Sequence, residues 1–175
     1  MLNGPIPPHV DPRKLADRGV TLEGEMSLAS FERLCEPLAD NVGVVHAELA
    51  FERGERKAVT IHSQLRAEVK MICQRCLELV VLPIQSECHY AVVKEGAETQ
   101  SLPSGYDMLE VGEDPLDLLA LVEEELLLAL PIVPMHAPED CQQPVGLDEP
   151  EPSEDEVSRS NPFSVLAQLK RDPNV

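Results

Sequence analysis

Between Gly43 and Val93 the chain alternates apolar and polar residues almost without a break, and this period of two is its clearest signal. Val45, Ala47, Leu49 and Phe51 share one face of a strand, with His46 and Glu48 on the other. After the polar turn "ERGERK", Val59, Ile61, Leu65, Ala67, Val69 and Met71 alternate against His62, Gln64, Arg66, Glu68 and Lys70. The tetrapeptide "CQRC" interrupts the pattern, and Val80, Leu82, Ile84, Tyr90 and Val92 resume it beyond. Long strands joined by short turns predict an antiparallel meander with one face packed and one wet.

The flanks switch to helical spacing. Asp11, Pro12 and Gly19 read as the cap, first turn and stop of a short helix, and "VTLEGEM" alternates as a strand. Ser27 is a candidate cap for a second helix, in which Leu28, Phe31, Leu34, Cys35 and Leu38 recur on one face. After the meander comes a loop, then "MLEVGED" as a short strand. "PLDLLALVEEELLLALPIVP" predicts a helix of roughly four turns, capped by Asp114 and stopped by Pro131. Its leucines occupy nearly every face apart from Glu123–Glu125, which read as a solvated stripe. Such a helix should be buried within its own domain.

Residues 142–160 are acidic, Pro-rich and poor in large apolar groups, which predicts disorder. The last stretch opens with Asn161 and Pro162 as a helix start and carries Phe163, Leu166 and Leu169 at amphipathic spacing. It reads as a docking element, for its own domain or for a partner. The expected class is α+β: an antiparallel β meander or partly closed barrel, packed by a long Leu-rich helix, with short N- and C-terminal helices. The expected organisation is one domain over residues 1–141, a tether over 142–160 and a docking helix over 161–175.

Trp is absent and aromatic residues make up 3% of the chain, so the core must be aliphatic. No apolar run reaches the roughly 18 residues of a membrane span. The N-terminus lacks the charged-then-apolar order of a signal peptide. A soluble, cytoplasmic protein is expected. The net charge of −18 is concentrated: residues 95–158 hold 18 Asp and Glu without a Lys or Arg, whereas residues 1–94 hold 13 acids against 11 bases. The first half can therefore still present a local basic face. Arg66 and Lys70 share a strand face and Arg75 lies in the turn beyond, a stripe suited to RNA phosphates or merely to solvent. With few aromatics to stack bases, such a contact would read backbone more than sequence.

Five cysteines, an odd number spread over 175 residues, suit a reduced compartment better than a disulfide scaffold. A redox CxxC needs a helix starting on it to activate the first thiol, and here β-rich sequence runs out instead. A strand–CxxC–strand turn is the shape of half a zinc knuckle. His136 and Cys141 in "PMHAPEDC" offer the other ligands for Cys73 and Cys76. Cys88 and His89, adjacent on a strand, point to opposite faces, and Cys35 reads as core. The CxxC is thus a structural turn, with thiols that pack without metal or that share zinc with the His136–Cys141 segment. The chain carries no Gly-rich phosphate loop, GxSxG or HExxH, and no catalytic residue is assigned.

Three stretches together resemble the YceD family of large ribosomal RNA subunit accumulation proteins. They are "CQRCLE" after an alternating strand, "DLLALVEEELLLALPIVPMH" followed by Cys141, and the terminal "NPFSVLAQLK". The resemblance covers nearly the whole chain. It implies a non-enzymatic role in making or stabilising 23S ribosomal RNA, with that RNA or a pre-50S particle as partner. Genes of the family often neighbour one for a small basic large-subunit ribosomal protein, which is a second implied partner. Neither a membrane nor a small-molecule substrate is expected. The protein is then an RNA-binding factor, or an acidic adaptor or chaperone for a basic ribosomal protein that reaches RNA indirectly.

Overall fold

The computed structural model describes residues 2–54, 57–94, 96 and 105–141. The expected tether and docking helix, with Asn161, Pro162, Phe163, Leu166 and Leu169, lie outside the described residues.

Short elements lead in: strands β1 (Leu2–Asn3) and β2 (His9–Val10), helix α1 (Pro12–Arg18) and strand β3 (Thr21–Ser27). Asp11 caps α1 by accepting from the backbone N–H groups of Arg13 and Lys14. Gly19 ends it in the left-handed region at φ 58°, where a residue with a Cβ would be strained. The expected second helix breaks in two. Leu28–Ser30 form a 3-10 turn and α2 is only Glu32–Cys35. Ser27 caps neither with its side chain, because it ends β3, paired with Val44.

The alternating run folds as its pattern predicts, into β4 (Val44–Arg53), β5 (Val59–Ile72) and β6 (Leu79–Val93). Two short strands follow, β7 (Asp107–Glu110) and β8 (Leu116–Asp117), and then helix α3 (Leu118–Ala129). The main sheet has the order β1-β3-β4-β5-β6-β7. Its inner pairs are antiparallel, while β1 and β7 join the edges in parallel. The expectation of a partly closed barrel is corrected: among the described residues the edge strands do not meet. Edges of 2 and 4 residues are too short to close a sheet whose inner strands run to 15.

The predicted long helix is shorter than four turns. Leu116 and Asp117 pair with Val10 and His9 instead of starting it. The cap is therefore Asp117 rather than Asp114, accepting from the Ala120 N–H at 3.0 Å. The remaining 12 residues still join the two halves of the core on the inner sheet face. Leu118 and Leu121 pack with Leu49, Phe51 and Ile61. Val122 and Leu126 pack with Leu34, Leu65 and Val69. Burying each such side chain stabilises by about 1.5–3 kcal/mol.

The solvated stripe is overturned. Glu123 is 9% exposed and Glu125 6%, and of the three only Glu124 faces water. Two helical residues two apart point about 200° away from each other, so these carboxylates serve different neighbours. Glu123 accepts from the backbone N–H of Arg33 at 2.8 Å, that of Leu34 at 3.2 Å and Arg33 Nε at 2.9 Å. Glu125 accepts from Ser86 Oγ at 2.7 Å, Cys88 Sγ at 2.6 Å and the Tyr90 hydroxyl. One carboxylate ties α3 to α2 and the other ties it to β6. Burial is tolerable because each has several donors.

Candidate metal centre

Strand β5 delivers Cys73 to the bottom of the core, where it is 0% exposed. The chain then turns within five residues. The Leu77 N–H donates to the Cys73 carbonyl and the Cys73 N–H to the Glu78 carbonyl, both at 2.9 Å. Leu77 closes the turn at φ 62°, a conformation that costs a residue with a side chain roughly 1–2 kcal/mol. That geometry points Cys76 back toward Cys73. The segment after α3 meets the turn through the Gln74 N–H, which donates to the Pro134 carbonyl at 2.9 Å. His136 and Cys141 follow.

The ligand atoms of Cys73, Cys76, His136 and Cys141 all lie within 4.8 Å of one another. Cys73 Sγ and Cys141 Sγ are 3.9 Å apart, and Cys76 Sγ is 3.3 Å from His136 Nδ1. All described cysteines are free thiols. The other imidazole nitrogen, Nε2, is 3.0 Å from the Leu79 carbonyl. A carbonyl only accepts, so Nε2 carries a proton, and Nδ1 is the ring nitrogen turned toward the sulfurs. The cluster can hold a metal ion.

The electrostatics of the turn favour an anionic sulfur at Cys73. Burial pushes the thiol up, but the backbone N–H groups of Cys76, His136 and Arg75 and the Cys76 side chain outweigh it and bring it down to about 5. The His136 N–H lies 3.5 Å from that sulfur. Cys141 moves the other way, pushed up by burial and then by Cys76 and Cys73. No helix starts on the CxxC to activate the thiol; the amides of Cys76, His136 and Arg75 act on it instead.

The remaining candidates are scattered. Cys35 donates to the Leu28 carbonyl at 3.2 Å, and Cys88 faces Glu125 while His89 lies on the outer face. Arg66 is exposed on the outer sheet face. Lys70 shares that face but is held by Asp40 at 2.7 Å. Arg75 lies in the CxxC turn with Nη2 3.6 Å from Met135 Sδ. Arg66 and Lys70 thus share the outer face of β5, and Arg75 lies past its end. The outer sheet face is otherwise acidic: Glu23, Glu25, Glu48, Glu52, Glu68 and Glu87 are all exposed on it. Cross-strand register lines up Glu23, Glu48, Gln64 and Glu87 in one row beside Arg66. The same face holds a ring cluster that strand alternation alone could not show, with His62 and His89 centroids 4.5 Å apart and Tyr106 5.8 Å from each.

Residues 61–170 match the family profile described as "Large ribosomal RNA subunit accumulation protein YceD". The chain belongs to the YceD family. A relative from Haemophilus influenzae, named large ribosomal RNA subunit accumulation protein YceD, is 34% identical over 172 residues, covering 95% of this chain and 97% of the relative. No solved structure matches the chain. The YceD profile takes in most of β5, the CxxC turn, β6, α3 and all four residues of the cluster.

Proposed function

We propose that this protein promotes the accumulation of large-subunit ribosomal RNA as a non-enzymatic binding factor in the cytoplasm, acting on 23S ribosomal RNA or its precursor particle. The observation that carries the reading is the match to the relative bearing that name, which runs across 95% of the chain. In this reading Arg66 and Arg75 face phosphates, Lys70 adds charge when it leaves Asp40, and the segment with Asn161, Pro162, Phe163, Leu166 and Leu169 docks on the partner.

A second reading draws support from the charge of the outer sheet face. Six exposed carboxylates share that face with Arg66 and the Asp40-paired Lys70. Such a face repels phosphates and attracts Lys- and Arg-rich chains. The protein is then an acidic adaptor or chaperone for a basic large-subunit ribosomal protein.

In-cell crosslinking followed by pull-down of the full chain separates the two, comparing wild type with the double variant Arg66→Glu, Arg75→Glu. Direct contact predicts crosslinks at defined 23S positions that the variant loses. It also predicts a salt dependence of RNA binding about two log units per log unit shallower in the variant. Recovery of a basic ribosomal protein without RNA crosslinks, unchanged in the variant, establishes the adaptor instead. Recovery of neither ribosomal RNA nor ribosomal protein overturns both.

A further inference from the structure

We propose that Cys73, Cys76, His136 and Cys141 bind one zinc ion through their three Sγ atoms and His136 Nδ1, forming a closed structural site that clips the β5–β6 turn to the segment after α3. The distances fit. A tetrahedral ion with Zn–S near 2.3 Å and Zn–N near 2.0 Å sets neighbouring ligand atoms roughly 3.5–3.8 Å apart. The observed 3.9 Å between Cys73 and Cys141 and 3.3 Å between Cys76 and His136 bracket that range. A Cys73–Cys141 disulfide would need about 2.05 Å between the sulfurs. The donor set selects the metal: thiolates and an imidazole favour zinc over magnesium or calcium, which take oxygen.

The surroundings are those of a ligand shell. His136 gives its outer nitrogen to the Leu79 carbonyl, which fixes both tautomer and ring plane. The CxxC turn is pinned at both ends by backbone hydrogen bonds. Four protein ligands leave no open position for substrate, so the ion is structural.

Apart from the His136 contacts, little else holds this segment. From Pro131 to Cys141 only Pro134 is buried, and Ile132 is 99% exposed. The segment has no regular helix or strand, and one backbone hydrogen bond, from Gln74, joins it to the turn. Apolar burial this small does not offset the conformational entropy of ordering eleven residues, roughly 1 kcal/mol or more apiece. A coordinate bond at each end of the 136–141 stretch does.

The test uses the full chain, purified under reducing conditions without chelator or added metal. Elemental analysis should find one zinc per chain. Replacing the zinc by cobalt(II) should give the thiolate-to-cobalt charge-transfer and intense visible bands of a tetrahedral site. His136→Ala and Cys141→Ser, which lie outside the packed sheet, should weaken zinc binding by more than about tenfold, while Cys35→Ser and Cys88→Ser should retain it. Metal-free protein with freely reactive thiols at Cys73, Cys76 and Cys141, a Cys73–Cys141 disulfide in the reduced preparation, or zinc retained in both His136→Ala and Cys141→Ser would each overturn the assignment.

Discussion

Glu123 does for α2 what the sequence of α2 omits. The residue before that helix is Phe31, whose side chain can cap nothing, so the first amide groups of Glu32–Cys35 lack a local partner. The Glu123 carboxylate supplies one from 90 residues away, accepting at the second and third positions of the helix. Glu123→Ala leaves the Arg33 and Leu34 amides unpaired, in a place where Leu34 is fully buried. Each unpaired buried amide costs about 1–3 kcal/mol. The half-exposed Arg33 guanidinium adds little, because solvent screens it. The expected loss from the two amides is about 2–6 kcal/mol, against a typical total of about 5–15 kcal/mol. Glu123→Gln keeps an acceptor oxygen of the same reach and should lose only about 1 kcal/mol. Urea titration at pH 7 reads both from the midpoint at constant m. Burial pushes the Glu123 carboxyl up, but Arg33 and the two amides outweigh it and hold the group below its ordinary 4.5. A folded-state value below the unfolded one stabilises fully above pH 4.5 and stops stabilising as pH falls through the folded value. The gap between wild type and Glu123→Gln should thus be flat above pH 4.5 and close below it. Protonation of the metal cluster is common to both proteins and cancels in that difference. Equal losses for Ala and Gln, or a gap that persists unchanged into acid, would refute the capping role.

Tyr90→Phe keeps the ring in the core but removes one of three donors to the buried Glu125, so it should cost about 1–2 kcal/mol by the same titration; a cost near zero would mean that Ser86 and Cys88 satisfy the carboxylate alone. Leu77 is exposed and sits at φ 62°, so Leu77→Gly sheds strain and loses no burial. After the added freedom of the unfolded chain is subtracted, Leu77→Gly should leave stability unchanged or raise it by up to about 1 kcal/mol. Leu77→Val, with the side chain least tolerant of that conformation, should lower Tm instead. The opposite order in a calorimetric scan would rule out a turn held at positive φ.

What the sequence revealed and what it hid follow one physical line. Alternation survives folding when one face of a strand is buried, so β4, β5 and β6 were readable residue by residue. The Asp11-Pro12 start and Gly19 stop of α1 were readable because capping is local. The misses all depend on partners distant in sequence. Ser27 looked like a cap until Val44 claimed its backbone for a strand, and Asp114 looked like one until His9 and Val10 drew Leu116 and Asp117 into β8. Glu123 and Glu125 looked solvated because three adjacent carboxylates usually are; their donors come from α2 and β6. The cysteine and histidine cluster was readable in its membership, since CxxC spacing is local and few other ligands were on offer. The depressed Cys73 thiol was not, because it follows from where the turn aims its amides.

The location of the cluster follows from lengths. Strands β5 and β6, of 14 and 15 residues, extend about 45–50 Å at 3.3 Å per residue. Helix α3, of 12 residues, spans only about 18 Å. One helix cannot cover such a hairpin, so the inner face is shared: α1 lies toward the Phe51–Ile61 end, and the 28–38 segment packs beside α3 farther along. The CxxC end is left to the chain that follows α3. That chain belongs to the 95–158 region, which has no lysine or arginine and so cannot pair its acids internally. It also buries almost nothing. A short segment that leaves Ile132, Val133 and Met135 exposed has few ways to be fixed on the end of a sheet. Thiolate and imidazole coordination needs neither a wide apolar face nor a counter-charge on the chain, and with the proposed ion in place the end of α3, the hairpin turn and Arg75 become one rigid surface.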